Sequence, residues 1–220
     1  MKNCFLLLFT LICTVVSSQD LYIKSHSTSP AVFIQNQNLQ IESLTNGNYV
    51  VAGYHDSPNT IGTLFIRMFN ACGTELWHKE FADTAINLDL INLNLDSTNH
   101  ILVTGNKGEN NRSRTPYLLK LDLSGNIIYS KLLTSIQGHN ILNYSSSIAP
   151  NGDYLIYGLY RYTASPPNFA KIAITRIKPD GTLLWMKNYE FGSRSWGRMI
   201  ATSDNGALAK TANIIFKVDS

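Results

Sequence analysis

The sequence predicts an all-β fold, a β-propeller-like arc of four-stranded antiparallel blades with three blades complete and a fourth partial. Three observations carry that expectation. Gly73, Gly125 and Gly181 close the same kind of turn and stand 52 and 56 residues apart. Gly53, Gly105 and Gly158 end an apolar run, stand 52 and 53 apart, and keep phase with the first series. Two glycine series sharing a period of about fifty residues mark an internal repeat. The third observation is that the runs between the glycines are apolar on both faces, as in Tyr49-Val-Val-Ala and Tyr117-Leu-Leu-Lys-Leu. A strand covered on both sides reads this way, whereas a half-exposed strand alternates. Four-stranded sheets stacked face to face around an axis give such burial. A linear β-solenoid usually has shorter repeats, and a sandwich needs no repeat of this length.

In chain order, the first eighteen residues read as a signal peptide. Lys2 supplies the positive start, Cys4–Val16 is an apolar stretch, and Val16-Ser17-Ser18 offers small residues before a cut after Ser18 or Gln19. The stretch is too short for a lasting membrane anchor. A lipid-attachment role for Cys13 is disfavoured by Ile12, where such sites want a small residue. Cys72 is then the single cysteine of the mature chain, so no internal disulfide is available and packing must hold the fold. Its place beside Gly73 reads either as a small turn residue or as a free exposed thiol.

Residues 19–38 form a segment with two strand-like stretches, Leu21-Tyr-Ile-Lys and Ala31-Val-Phe-Ile-Gln. Blade 1 is assigned to 39–87, with strands near Leu39–Leu44, Tyr49–Tyr54, Leu64–Asn70 and Glu75–Phe81. Blade 2 spans 88–143, with strands near Leu88–Leu95, His100–Gly105, Tyr117–Leu123 and Asn126–Leu133. Blade 3 spans 144–197, with strands near Tyr144–Ala149, Tyr154–Gly158, Ala170–Ile177 and Thr182–Tyr189. A partial blade 4 spans 198–220, with strands near Arg198–Thr202, Ala207–Lys210 and Ile214–Val218. Three and a part blades fall short of a ring of usual size, so the chain reads as the front part of a longer propeller.

Turn chemistry agrees. Lys178-Pro179-Asp180-Gly181 places proline second in a type I turn and glycine in the left-handed position of a bulged hairpin. Leu123-Ser124-Gly125 and Ala71-Cys72-Gly73 fit the same geometry. The other hairpin turns carry Asn46-Gly47, Asn151-Gly152 and Asn205-Gly206, with Asn99 at the glycine position of blade 2; asparagine best tolerates positive φ. Gly47, Gly73, Gly125, Gly152, Gly181 and Gly206 are therefore assigned as structural turn residues.

Asn151-Gly-Asp-Tyr-Leu-Ile-Tyr-Gly, followed by Ile174-Thr-Arg-Ile-Lys-Pro-Asp-Gly-Thr-Leu-Leu-Trp-Met-Lys-Asn-Tyr, resembles a family of secreted bacterial β-propeller repeats. Asn46–Gly53 with Arg67–Phe81, and His100–Gly105 with Leu118–Leu133, resemble it too, so the likeness covers almost everything after residue 38. It implies a propeller that is exported and often held at the cell surface, in many members through a C-terminal sorting domain for type IX secretion, which this sequence does not contain. It implies no single activity. A weaker likeness is to quinoprotein-type repeats, which share an aromatic residue where this chain has Trp77, Tyr129 and Trp185. The fuller docking motif of those repeats is missing, so no cofactor is expected. The three aromatic residues are read as inter-blade packing.

Strand direction alternates within a blade, so the glycine turns share one end of the propeller. The other end carries loops that differ in every blade: His55–Gly62, Asn106–Thr115, Tyr160–Phe169, and between blades Ala82–Asn87, Thr134–Asn143 and Glu190–Gly197. Function on a rigid scaffold tends to sit in such loops. The candidate ligand-binding residues there are Arg112, Arg114, Tyr160, Arg161, Tyr162, Arg194, Trp196 and Arg198. Guanidinium and aromatic side chains together suit a glycan or an acidic surface protein, and the same residues also read as ordinary solvated loop residues. The formal charge is only +3, so nucleic acid is not an expected partner. No transmembrane span is expected once the signal is removed. The five histidines show no paired ligand spacing, and Asp96-Ser-Thr-Asn-His lacks the glycine and distal glutamate of a calcium loop. No nucleophile elbow, P-loop or dinucleotide fingerprint selects a catalytic residue.

Three functions remain open at this level: a non-enzymatic binding or scaffolding module at a bacterial surface, a propeller enzyme acting on polysaccharide or as a quinoprotein dehydrogenase, and an envelope assembly factor. The fold does not choose among them.

Overall fold

The computed structural model describes residues 39–57, 60–81, 87–108, 114–133, 140–161, 170–190, 197–211 and 213–220. Blade 1 consists of β1 (Gln40–Ser43), β2 (Tyr49–Ser57), β3 (Thr60–Phe69) and β4 (Glu75–Phe81). Blade 2 consists of β5 (Asn87–Leu95), β6 (Ile101–Gly108), β7 (Arg114–Leu121) and β8 (Ile127–Leu132). Blade 3 consists of β9 (Asn140–Ile148), β10 (Tyr154–Arg161), β11 (Ala170–Ile177) and β12 (Leu183–Tyr189). Blade 4 has β13 (Arg198–Ala201), β14 (Ala207–Lys210) and β15 (Ile215–Val218). Each sheet is an antiparallel meander with its strands in sequence order. Among the described residues no helix is long and apolar enough to cross a membrane.

The first strands of successive blades, β1, β5, β9 and β13, contact one another, so they form the inner side of the arc. The fourth strands are outermost and largely exposed; β4, for example, presents Leu76 to solvent. In blades 2 and 3 the second and third strands between them are buried on both faces, as their apolar runs require. The core is therefore a set of layers between blades. Val50 and Ile66 meet Leu93, Val103 and Leu119 between blades 1 and 2. Leu102 and Leu118 meet Tyr154 and Ile156 between blades 2 and 3. Leu155 and Ile174 meet Met199, Ala207 and Ala209 between blades 3 and 4.

This stacking gives each blade a trailing face, toward the next blade, and a leading face, toward the previous one. On the trailing side Ile66, Leu118 and Ile174 occupy equivalent positions and are 0% exposed, while their counterpart Ile215 in blade 4 is 64% exposed. Ile200 is 61% exposed on the same face, beside Leu208. At the other end of the arc Ile41 is 60% exposed, while its counterparts Leu93 and Met199 are buried. The apolar character of these strands was legible in the repeat, and so were the two copies that border open faces, Gln40–Leu44 and Ile214–Val218, as the first and last of the row.

The glycine turns fold as bulged hairpins. In blade 2, Asp122 N–H donates to Asn126 O at 3.0 Å and Gly125 N–H to Asp122 O at 3.1 Å, with Gly125 at φ 79°. The ladder register shifts just before the turn in each of blades 1, 2 and 3. Gly47, Gly73, Gly152 and Gly181 are likewise at positive φ. Gly206 is not: the left-handed residue of that turn is Asn205, at φ 63°, so the turn sits one residue earlier than the Asn-Gly pair suggested. Gly206 answers to packing instead, because a Cβ there would lie 2.5 Å from Val218 O.

The turns at Gly125 and Gly181 also receive the outer strand of the preceding blade. Trp77 Nε1–H donates to Leu123 O at 2.8 Å, and Tyr129 O–H to Pro179 O, the equivalent carbonyl one blade on, at 3.2 Å. Lys131 Nζ reaches Asp180 O at 2.9 Å. A Cβ on Gly125 would lie 3.2 Å from the Trp77 ring and from Lys79 Cε, and one on Gly181 would press on Lys131. An aromatic residue and a lysine two positions later thus lock onto the following blade. Replacing Trp77 by phenylalanine keeps the ring packing and removes one hydrogen bond, so an unfolding midpoint in urea should report a loss of about 1 kcal/mol. A loss above about 3 kcal/mol would mean that packing, not the bond, carries Trp77.

Candidate functional site

The loops expected at the variable end are in large part strand. β2 and β3 pair out to Ser57 and Thr60, β6 and β7 to Gly108 and Arg114, and β10 and β11 to Arg161 and Ala170. His55, Asn106, Lys107, Arg114, Tyr160 and Arg161 therefore lie on ladders rather than in loops. The inner strands also start earlier than their apolar residues suggest, at Asn87 and Asn140. Both differences have one cause. A backbone ladder propagates through polar residues once its neighbour is in register, and such residues give no periodic signal.

Three of the candidate residues sit at the ends of adjacent paired hairpins. Arg114 opens β7 opposite Gly108. Tyr160 and Arg161 close β10, opposite Lys171 and Ala170 on one side and Ile141 and Asn140 on the other. Arg112, Tyr162, Arg194 and Trp196 lie outside the described residues. Arg198 is exposed at the start of β13, opposite Lys210. It does not turn toward the loops. Its counterparts Asn92 and Ser145 touch the next blade, Asn92 Nδ2 donating to Ser146 O at 2.6 Å and Ser145 Oγ to Met199 O at 3.4 Å. Arg198 thus lies on the uncovered trailing face of blade 4, and its exposure reflects that position.

The same end carries a polar inner wall that sequence reading missed. Asn106 and Asn143 bond across blades 2 and 3: Asn143 N–H donates to Asn106 Oδ1 at 2.7 Å and Asn106 Nδ2–H to Asn143 O at 3.1 Å. Asn106 N–H also donates to the Asp89 carboxylate at 2.5 Å. Asn94, Thr104 and Ser146 continue the seam through side-chain bonds. Asn143 is fully buried, and its Nδ2 is the one buried side-chain polar atom without a partner among the described residues. The signal for Asp89 and Asn94 was present as Leu88-Asp-Leu and Asn92-Leu-Asn, polar residues alternating inside an otherwise apolar strand.

The described carboxylates on the inner strands are Glu42 on β1 and Asp89 on β5, together with Asp96 just past β5. Burial pushes the Glu42 carboxyl above its ordinary value. Glu42 matches Asn94 in the repeat, and strand rise then separates it from Asp89 by about 13 Å along the strand direction. Paired glycosidase carboxylates stand only about 5–9.5 Å apart. Asp96 belongs to the turn end, where Lys120 Nζ meets it at 2.9 Å within a buried cluster. Among the described residues no group of three or more His, Cys, Asp or Glu could hold a metal ion. Cys72 is exposed and unpaired, in the turn of blade 1.

No family model matches this chain, and neither does any curated protein. Among solved structures it is similar to the alpha-L-arabinanase of Penicillium chrysogenum complexed with arabinobiose, with a TM-score of 0.59 and 9% sequence identity. The match covers 80% of this chain and 60% of that one, so this chain spans less than two thirds of that protein's length. At that identity the likeness bears on the fold alone, and with the four stacked meanders it makes the chain an all-β, β-propeller-like arc.

Proposed function

We propose that the chain is a secreted or cell-surface binding module that holds an acidic glycan at its variable end. The observation that carries the reading is the placement of Arg114, Tyr160 and Arg161 at the tips of two adjacent hairpins on rigid, stacked sheets. Guanidinium groups pair bidentately with carboxylate or sulfate, and an aromatic ring offers a sugar a flat apolar face. Export rests on the N-terminal signal pattern.

The test is titration calorimetry of polygalacturonate against neutral arabinan. The acidic polymer should bind, and more weakly as salt rises. The Arg114→Ala/Arg161→Ala double variant should bind it at least about tenfold more weakly, with an unchanged unfolding midpoint, since both residues lie at hairpin tips. Equal binding of both polymers, or equal binding of the acidic polymer by the parent and the double variant, would remove the acidic-glycan reading. Fractionation of the source cells tests the location: the protein should appear in the medium or at the surface.

A second reading, a polysaccharide hydrolase, is favoured by the likeness to an arabinanase. The separation of Glu42 and Asp89 argues against it. Release of reducing ends from arabinan that is abolished in Asp89→Asn would establish it.

A further inference from the structure

We propose that the trailing face of blade 4 docks an acidic protein partner, which sets one carboxylate between Arg198 and Lys210. The observation that carries this is a departure from the repeat. Arg198 pairs with Lys210 across β13 and β14. The same cross-strand pair is Gln40 with Ala52 in blade 1, Asn92 with Thr104 in blade 2 and Ser145 with Tyr157 in blade 3. Three copies are uncharged, and the fourth is two cations. Both are exposed, and among the described residues neither side chain has a hydrogen-bonding or ionic partner. Like charges directly opposite each other in a sheet stand about 5 Å apart and destabilise it, so the pair costs the free chain stability.

The joins between blades show what this pair faces. Asn92 Nδ2 donates to Ser146 O at 2.6 Å, and Thr104 Oγ1 and Ser146 Oγ share a bond at 2.9 Å. Both positions thus converge on one residue of the next inner strand. Ser145 meets the same place one blade on, donating to Met199 O at 3.4 Å. A carboxylate there would receive a guanidinium and an ammonium together, in charge-assisted hydrogen bonds. The rest of the face is built for a sheet. Leu208 and Ile215 are exposed, while their counterparts Leu102, Leu155, Leu118 and Ile174 are at most 1% exposed. An apolar strip beside two cations complements a sheet that is apolar and has an acidic inner strand. A second copy of this chain is no match: it would bring Ile41 to that place, with Val51 and Arg67 across the ladder, and none of the three is a carboxylate. A polyuronate has the carboxylates without the aliphatic side chains.

The probe is a labelled synthetic peptide of this chain's own inner strand, residues 140–149, made in a Ser146→Glu and a Ser146→Gln form. In fluorescence anisotropy titrations the full chain should bind the Ser146→Glu peptide at least about fivefold more tightly than the Ser146→Gln peptide, and the difference should shrink as salt rises. The Arg198→Gln/Lys210→Gln chain should bind the two peptides alike. Its thermal midpoint should hold or rise slightly, since the facing charges are gone. Equal binding of the two peptides by the parent would overturn the proposal, as would a preference that survives in the double variant. Polygalacturonate binding should be the same in parent and double variant; its loss in the variant would give this face to the glycan and end the proposal. A parent dimer in sedimentation that the double variant dissociates would do the same, by seating a second copy there.

Discussion

Replacing Lys120 by alanine will lower stability by about 3–5 kcal/mol, because it strands a buried carboxylate. Lys120 Nζ lies 2.9 Å from Asp96 Oδ2, and both residues are under a tenth exposed. Thr98 and His100 N–H groups donate to Asp96 Oδ1 at 2.9 Å each, and Thr98 O–H at 2.6 Å. Tyr154 O–H reaches Oδ2 at 3.4 Å, with the His100 ring on the same oxygen. Lys120 also donates to Pro179 O in the turn of blade 3, at 3.3 Å. The cluster therefore joins two blades as well as two strands. Burial alone would raise the Asp96 carboxyl; the hydrogen bonds from Thr98, Lys120 and His100, with the lysine charge, outweigh it and hold the group well below the usual carboxylate range. Burial, then the Asp96 charge, pushes the Tyr154 hydroxyl up to about 12.

The sign of the pH effect follows. A carboxylate with a depressed folded pKa stabilises the fold above its unfolded value, and that contribution fades as pH falls through the folded one. Urea midpoints of the parent chain should hold above about pH 5 and decline steadily below it. Lys120→Met should fall less than Lys120→Ala at neutral pH, since it keeps the packing, and the Lys120→Met/Asp96→Asn pair, which removes the stranded charge but keeps the acceptor for Thr98 and His100, should recover most of the loss. A Lys120→Ala loss under about 1 kcal/mol would show that the pair is solvated.

Gly105→Ala should cost about 3 kcal/mol, near the upper end for one added methyl group. Its Cβ would lie 1.8 Å from Asp89 O and 2.6 Å from the Tyr117 ring. Asp89 O is backbone and accepts the hydroxyl of the buried Tyr117 at 2.9 Å, so neither neighbour can step aside freely. The inner strand already bulges here, its register shifting between Leu90 and Asn92. Gly105→Ala should shift the urea midpoint without changing its slope. Gly152→Ala is the instructive contrast: its Cβ meets only Pro179 Cγ, at 3.4 Å, so only the left-handed backbone, typically a penalty of about 1–2 kcal/mol, opposes it. If Gly105→Ala proves as mild as that, the inner strand yields more than its bulge suggests.

The repeat, the order of strands and the turn geometry were legible because each is written locally. A glycine at a left-handed position, a doubly apolar strand and a recurring aromatic residue each declare themselves within about ten residues. The Asn205–Gly206 turn shows the limit of even local reading, since two residues both tolerate positive φ: Asn205 takes it, and Gly206 instead lies close against Val218 O across the sheet. The variable end was hardest to read. Arg198, read as the start of a strand, was grouped with the loop-end candidates and lies on an open blade face, while Asn106 and Asn143 looked unremarkable and form the seam between two blades.

Sequence by itself determined that this chain is a row of four-stranded sheets and which end carries the short turns. Only the tertiary structure decided which polar residues meet across blades and where the buried Asp96–Lys120 pair closes. Local patterning follows from backbone sterics and the alternation of side chains along one strand. Contacts between residues some fifty positions apart depend on how one sheet is set against the next, and no single stretch of chain encodes that.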